Sequence, residues 1–515
     1  MIFLNLLLAS LVGFPLVVFG SLFVASVLYL HYVHVKYSHV PGPKRKSFFT
    51  GNIADMRQAV ADGRVFEDVF FDWNKEFGQV FIFYIFHRAI VHVYIPEVVR
   101  EILVSDNYPK CGNGYKAMEC LYGQRFMGRG LVTEIDHEVW KPQAAMFSPT
   151  FHRNYLKTCI VQFNSSSDAL IECLYKKADG KTEVNMMDMF NMVSLDSISK
   201  VAFGQDMNVF SKEKSTFCTD CQFLQDSVLI SLQYPLLWLS PFRDHIKFRR
   251  DGRAASVRMR EIGRQCIMGQ MEALKRGEKL ENNILSHILQ SAAPAGDSNV
   301  IDLELMIDHF VTFFLAGQET TACLMASTLL ELGRHPEIVY KMKTEVDAVL
   351  GDDGYVSFED LSKLKYTTAV LKETLRFHPP VTSVMRKTPK EVVWNGIKLP
   401  ADTLVNVCIM NLARQKEYFE NPEEFMPSRF LGGDNNSTMY IPFSMGPRKC
   451  IGKQFAMIEA QVVMAKLVKN LTFDLVPGQS FNYVRSITCK PKDSCRVYVK
   501  PAVPKSDIMK EVELI

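Results

Sequence analysis

The first thirty-five residues constrain this chain most, because no Asp, Glu, Lys or Arg occurs before Lys36. The run from Ile2 to Tyr32, with Phe3, Leu6, Leu11, Val18, Phe23, Val27 and Leu30, exceeds the ~20 helical residues that cross a bilayer. A cleaved signal peptide has a charged start and a shorter apolar centre, and both are missing. Lys36 follows, and then Lys44, Arg45 and Lys46, so the positive-inside rule keeps this end cytosolic. A single-pass anchor is therefore expected over residues 1–35, with a lumenal N-terminus. Pro41-Gly42-Pro43 stops the helix and sets the exit direction, which makes residues 36–46 a basic linker.

The remainder has ample material for a large core, at 515 residues and 48% hydrophobic composition. A net charge of +3 is too small to imply a nucleic-acid partner. The twelve cysteines show no regular framework and read as reduced, small hydrophobes. Cys218 and Cys221 form a CxxC without the second pair that a zinc ribbon needs. Residues 80–94 read as a strand pair broken at His87-Arg88, and Asn395-Gly396 marks a hairpin. Residues 151–290 are mostly of helical period, and 291–299 read as a loop. A proline-free helix of about thirty residues runs from Asp302 toward Leu332, ending at Gly333 and Pro336. The expected fold is mainly α with small β-sheets. With no linker after Pro43, one domain spans 47–505, and a tail at 506–515 suggests nothing functional.

Chemistry concentrates in PFSMGPRKCIGKQF, residues 442–455. A sulfur acts as ligand or nucleophile as thiolate, and a helix N-terminus or a nearby cation lowers its pKa. Residues 453–469 carry apolar side chains at helical spacing, so Cys450 sits just before a helix start, where free N–H groups favour negative charge. Gly446 and Gly452 permit close backbone approach to something flat or bulky. Arg448 brings a cation two residues from the sulfur. A turn with a buried cysteine would read the same way on these residues alone.

The pattern Phe443-x-x-Gly446-x-Arg448-x-Cys450-x-Gly452 resembles the haem-binding loop of the cytochrome P-450 monooxygenases. The resemblance implies that Cys450 is the thiolate ligand of iron in haem b, favouring O–O cleavage. It also implies that Arg448 pairs with a haem propionate. Ala316-Gly317-Gln318-Glu319-Thr320-Thr321 is similar to the family's oxygen-activation segment. There Ala316 would lie against the haem, and Glu319 with Thr320 would pass protons toward oxygen. Gly317 costs about 1 kcal/mol mid-helix relative to Ala, which suggests that the helix opens there. Glu373 and Arg376 lie three apart on one helix face, and with Arg429 they resemble the family's buried structural network. Arg386 falls where the family places another propionate-binding arginine. Trp140 matches the start of a W-x-x-x-R element whose arginine is here Ala144, which weakens the grip on one propionate.

Within that family, HVKYSHVPGP, FEDVFFDW, GRGLVTE, DHFVTFFLAGQETT, FAMIEAQVVMAKL and LVPGQSF are similar to the cholesterol 24-hydroxylases. The likeness implies hydroxylation of a sterol side chain in an apolar pocket. Tyr115, Met118, Leu121 and Phe126 are candidate lining residues. Thr382 and Met385 stand where that subgroup has a Trp and a Phe, a change that reshapes specificity. Fatty acids, retinoids and other steroids are the alternatives, as are a reductase-independent lipid-peroxide isomerase and a non-catalytic haem carrier. No flavin or nicotinamide fingerprint is present, so electrons from NADPH must arrive through NADPH-cytochrome P-450 reductase. Lys449 and Lys453 could form its basic docking face. The implied location is the endoplasmic reticulum membrane, with the catalytic domain cytosolic.

Overall fold

The computed structural model describes residues 2–105, 108–210, 216–233, 237, 240–292, 302–352, 354–432 and 439–502. The loop expected at 291–299 lies outside them from residue 293 on, and the tail at 506–515 lies wholly outside. The chain gathers into two compact units, Met1–Pro109 with Ser383–Asn411, and Lys110–Thr382 with Leu412–Ile515.

The smaller unit begins with the helix Ile2–Lys36. Its segment Leu16–Lys36 has a mean hydropathy of 2.0 and is a candidate membrane span. Leu16, Phe19, Leu22, Phe23 and Leu28 are all exposed, an apolar surface that lipid suits and water does not. The linker is docked rather than loose. The Tyr37 hydroxyl lies 3.0 Å from Thr403 Oγ1, and His39 Nε2–H donates to the Lys398 carbonyl at 2.7 Å. Pro41 O accepts from Ile82 N at 2.8 Å, and a Cβ on Gly42 would lie 2.0 Å from Ile82 O. Only glycine allows that approach.

Strands Val80–Ile85 and Arg88–Val93 form the expected antiparallel pair. Leu404–Cys408 adds parallel to the second strand, and Ser383–Lys387 closes the four-stranded sheet antiparallel to it. The other expected hairpin pairs Val392–Trp394 with Ile397–Leu399. Its two turn residues, Asn395 and Gly396, have φ of 47° and 76°, the type I′ requirement.

The larger unit is mainly helical. Its centre is the helix Leu303–Leu332, whose first turn is capped by Asp302 accepting from Leu305 N at 3.1 Å. It packs against Met186–Phe203 on one side and against Lys453–Asn470 on another. A Cβ on Gly128 or Gly130 would come 2.1 Å from Asp308 or 2.2 Å from Thr312, so this loop lies flat on the long helix. Asp308 fixes it by accepting from Arg125 at 2.5 Å and from Arg129 N at 2.8 Å, while also holding Arg260 at 2.6 Å. A short pair, Cys120–Leu121 with Gln124–Arg125, and two further small sheets complete the unit among the described residues. One orders Leu471–Leu475, Arg496–Pro501 and Glu183–Asn185, and the other is the hairpin Tyr483–Arg485 with Cys489–Pro491. The fold is mainly α with small β-sheets, as the sequence patterning indicates.

Candidate active site

Cys450 stands two residues before the helix Lys453–Asn470, as its sequence context requires. The loop is closed by Cys450 N donating to Phe443 O at 2.9 Å and Lys449 N donating to Gly446 O at 3.2 Å. Gly446 turns it with φ of 76°. Gly452 has an ordinary φ of −79°, and an added Cβ would meet only Cys450 Sγ, at 3.8 Å. Its contribution is therefore its N–H, which points at the sulfur, rather than conformational freedom. The sulfur remains solvent-accessible, yet the protein around it desolvates a thiolate and pushes the thiol up. The Gly452 N–H, the Lys453 charge and the Lys453 N–H pull it back down.

The cation beside the sulfur is thus Lys453 rather than Arg448. Arg448 donates to the carbonyls of Glu134 and Ile135 at 2.8 and 3.1 Å, and its guanidinium lies 4.2 Å from the Trp140 ring centroid. These backbone acceptors follow the loop laid on Asp308, so the long helix positions the arginine indirectly. Ala144 follows one helical turn after Trp140 and is half-buried.

On the long helix, Ala316 is exposed, Gly317 and Thr320 are half-buried, and Glu319 is buried. Thr320 Oγ1 donates to Ala316 O at 2.7 Å. The expected opening at Gly317 is absent here, because the helix runs unbroken through it. A Cβ there would meet Ile198 at 3.5 Å, an ordinary contact, so packing does not require the glycine. The Glu319 carboxylate accepts from Lys490 Nζ at 3.1 Å. Nothing around Lys490 in the sequence signals this pairing.

Glu373, Arg376 and Arg429 meet as expected. Glu373 accepts two bonds from Arg376 at 2.8 Å, one from Arg429 at 3.1 Å and one from Met426 N at 2.8 Å. Arg376 also donates to the carbonyls of Ala413, Pro422 and Glu424, pinning the strand of chain that leads toward the cysteine loop.

The candidate pocket residues are more dispersed. Leu121 and Phe126 are fully buried in the core cluster that includes Phe310 and Phe314, with Met118 packed against it. Tyr115 is half-buried beneath the Lys110 ammonium, 3.9 Å from its ring centroid. Thr382 accepts from Arg485 at 2.8 Å. Met385 and the buried Arg386 belong to the strand Ser383–Lys387 of the smaller unit.

The cysteine loop suits haem. It offers one accessible sulfur with N–H groups and an ammonium directed at it, and an aromatic-stacked arginine beside it. Among the described residues no three His, Cys, Asp or Glu side chains converge as a metal site. Cys450 is the residue that would hold the iron of a haem bound at this loop, through its thiolate.

Comparison with known proteins agrees. The cytochrome P450 family model matches residues 41–492. The chain is 28% identical to cytochrome P450 4d2 of Drosophila melanogaster, over 90% of this chain and 94% of that protein. It is 25% identical to cytochrome P450 3A18 of Rattus norvegicus over 91% and 94%. It is also 30% identical to 11-oxo-beta-amyrin 30-oxidase of Glycyrrhiza uralensis over 72% and 71%. The crystal structure of the cytochrome P450DA haem domain superposes with a TM-score of 0.76 at 22% identity, covering 84% of this chain and 92% of that one, and shares the fold. The chain belongs to the cytochrome P450 family. It is a monooxygenase that uses haem, dioxygen and electrons delivered by a reductase.

Proposed function

We propose that this monooxygenase hydroxylates a sterol, or a lipid of similar size and apolarity, at the endoplasmic reticulum membrane. The observation that carries the reading is the anchor helix. Its end is hydrogen-bonded into the smaller unit through Tyr37 and His39, so the enzyme is held where lipids partition. The likeness of several stretches to the cholesterol 24-hydroxylases supports a sterol. Thr382 and Met385, in place of two aromatics, favour a substrate other than cholesterol itself.

Haem b, held by Cys450 and flanked by Arg448 and Trp140, would supply oxygen activation when bound. Phe443 and Ala316 would border it. Thr320 donates its O–H to Ala316 O, which leaves its oxygen lone pairs able to accept a further hydrogen bond, and Glu319 lies one residue away. Electrons come from NADPH through the membrane-bound reductase, with Lys449 and Lys453, both exposed, on its docking face.

The test is turnover by the full chain with reductase on a panel of sterols, fatty acids and retinoids, with product position read by mass spectrometry. A hydroxysterol made only with NADPH supports the reading. Product from fatty acids or retinoids alone moves it to those lipids, and NADPH-independent isomerisation of a lipid peroxide would overturn it. Cys450→Ser should lose the long-wavelength Soret band of the ferrous CO adduct.

A further inference from the structure

Glu319 is 3% exposed, and among the described residues the hydrogen bond to its carboxylate comes from Lys490 alone. Burial, the largest influence, pushes the Lys490 ammonium down, but Glu319, the Cys323 thiol and Asp226 together hold it above its ordinary value. Cys323 is itself pushed up by burial and then by Glu319. Glu319 thus has the Cys323 thiol on one side and the Lys490 ammonium on the other.

That cation stands on the hairpin Tyr483–Arg485 with Cys489–Pro491, which makes other attachments. Thr488 Oγ1 lies 3.4 Å from Cys323 Sγ, one helical turn beyond Glu319. Cys489 N donates to Pro380 O at 2.8 Å, and Arg485 donates to Thr382 Oγ1 at 2.8 Å. One short hairpin therefore holds both the acid of the long helix and the segment 380–382, whose Thr382 the likeness to the 24-hydroxylases puts toward substrate.

We propose that Lys490 is a positioning residue for proton delivery. It keeps Glu319 an oriented carboxylate, and the hairpin ties that orientation to the segment 380–382. The inference rests on the reading of Glu319 and Thr320 as the proton-passing pair. A carboxylate can be recharged with a proton from the solvent side, where the Lys490 side chain is 26% exposed. Without the ammonium, a buried carboxylate keeps its proton and stops cycling.

The experiment compares Lys490→Met and Lys490→Arg with the wild-type holoenzyme, full chain, with reductase. Infrared pH titration of the carboxyl band reads the ion pair directly. Lys490→Met should show a protonated carboxyl at neutral pH that disappears in Lys490→Met/Glu319→Gln. Product formed per NADPH should fall about tenfold, with a shifted pH profile. Peroxide-driven turnover, which brings its own protons, should fall far less. Lys490→Arg should restore the wild-type profile. In a Glu319→Gln background Lys490→Met should do nothing further, and this pair keeps the test decisive if the single variant folds poorly. An unchanged infrared band, or additive effects of the two substitutions, would overturn the proposal. Absence of any NADPH-dependent product from the wild type would instead sink the monooxygenation reading, which the infrared result does not touch.

Discussion

Three buried glutamates of the larger unit differ in how their charge is met. Glu373 accepts four hydrogen bonds, two of them from the fully buried Arg376. Glu319 has one lysine. Glu459, on the helix after the cysteine loop, is faced by the hydroxyls of Ser194, Ser197 and Thr321 rather than by a cation. Burial pushes Glu459 up to about 8, against those three hydroxyls, which pull it down. A carboxylate met by two arginines is a fixed structural charge, and one met only by hydroxyls is held neutral by burial.

The comparison breaks first at Glu373. Glu373→Ala leaves Arg376 buried and uncompensated, so stability should fall by about 3–5 kcal/mol. Thermal denaturation and haem content after purification check this, and a melting point within a degree or two of wild type would show the network to be dispensable.

Glu459 offers the opposite sign. The native state holds a proton that the unfolded chain releases near 4.5, so stability falls as pH rises from there to about 8, then levels. Glu459→Gln should remove that slope and gain on the order of 1–3 kcal/mol at neutral pH. Urea denaturation at several pH values measures it, and parallel curves for the two proteins would place an ionised carboxylate at this site.

Smaller effects test the exposed charges. Lys453→Glu should slow reductase-supported turnover several-fold and peroxide-supported turnover less; equal losses would assign Lys453 to the sulfur and not to docking. Ala144→Arg should slow haem release modestly, read by transfer to apomyoglobin, and an unchanged rate would mean Arg448 and Trp140 already suffice.

The sequence announced the long helix, both hairpins of the smaller unit, the helix after Cys450 and the Glu373 network. Each depends on local spacing or on a pattern whose partners are all charged. It did not announce the route by which Arg448 is held. Arg448, two residues from the sulfur, read as the cation beside Cys450, but its guanidinium reaches the Glu134 and Ile135 carbonyls instead. Lys490 was equally silent, since an ion pair spanning 171 positions leaves no local period. Gly317 misled for a related reason. Helix propensity prices the residue, while what stands beside it is known only from the packing with Ile198.

The bonds from Tyr37 and His39 to Thr403 and Lys398 bear on how the protein can be handled. A span that ends in a slack leash can be cut anywhere along the leash. Here the residues just past the apolar helix are riveted to the smaller unit, so the chain leaves the helix along a fixed path. Trimming before Tyr37 spares both rivets, whereas trimming at Val40 strips them and exposes the edge they cover. The useful boundary for a shortened protein is set by a phenol and an imidazole, not by the end of the apolar run.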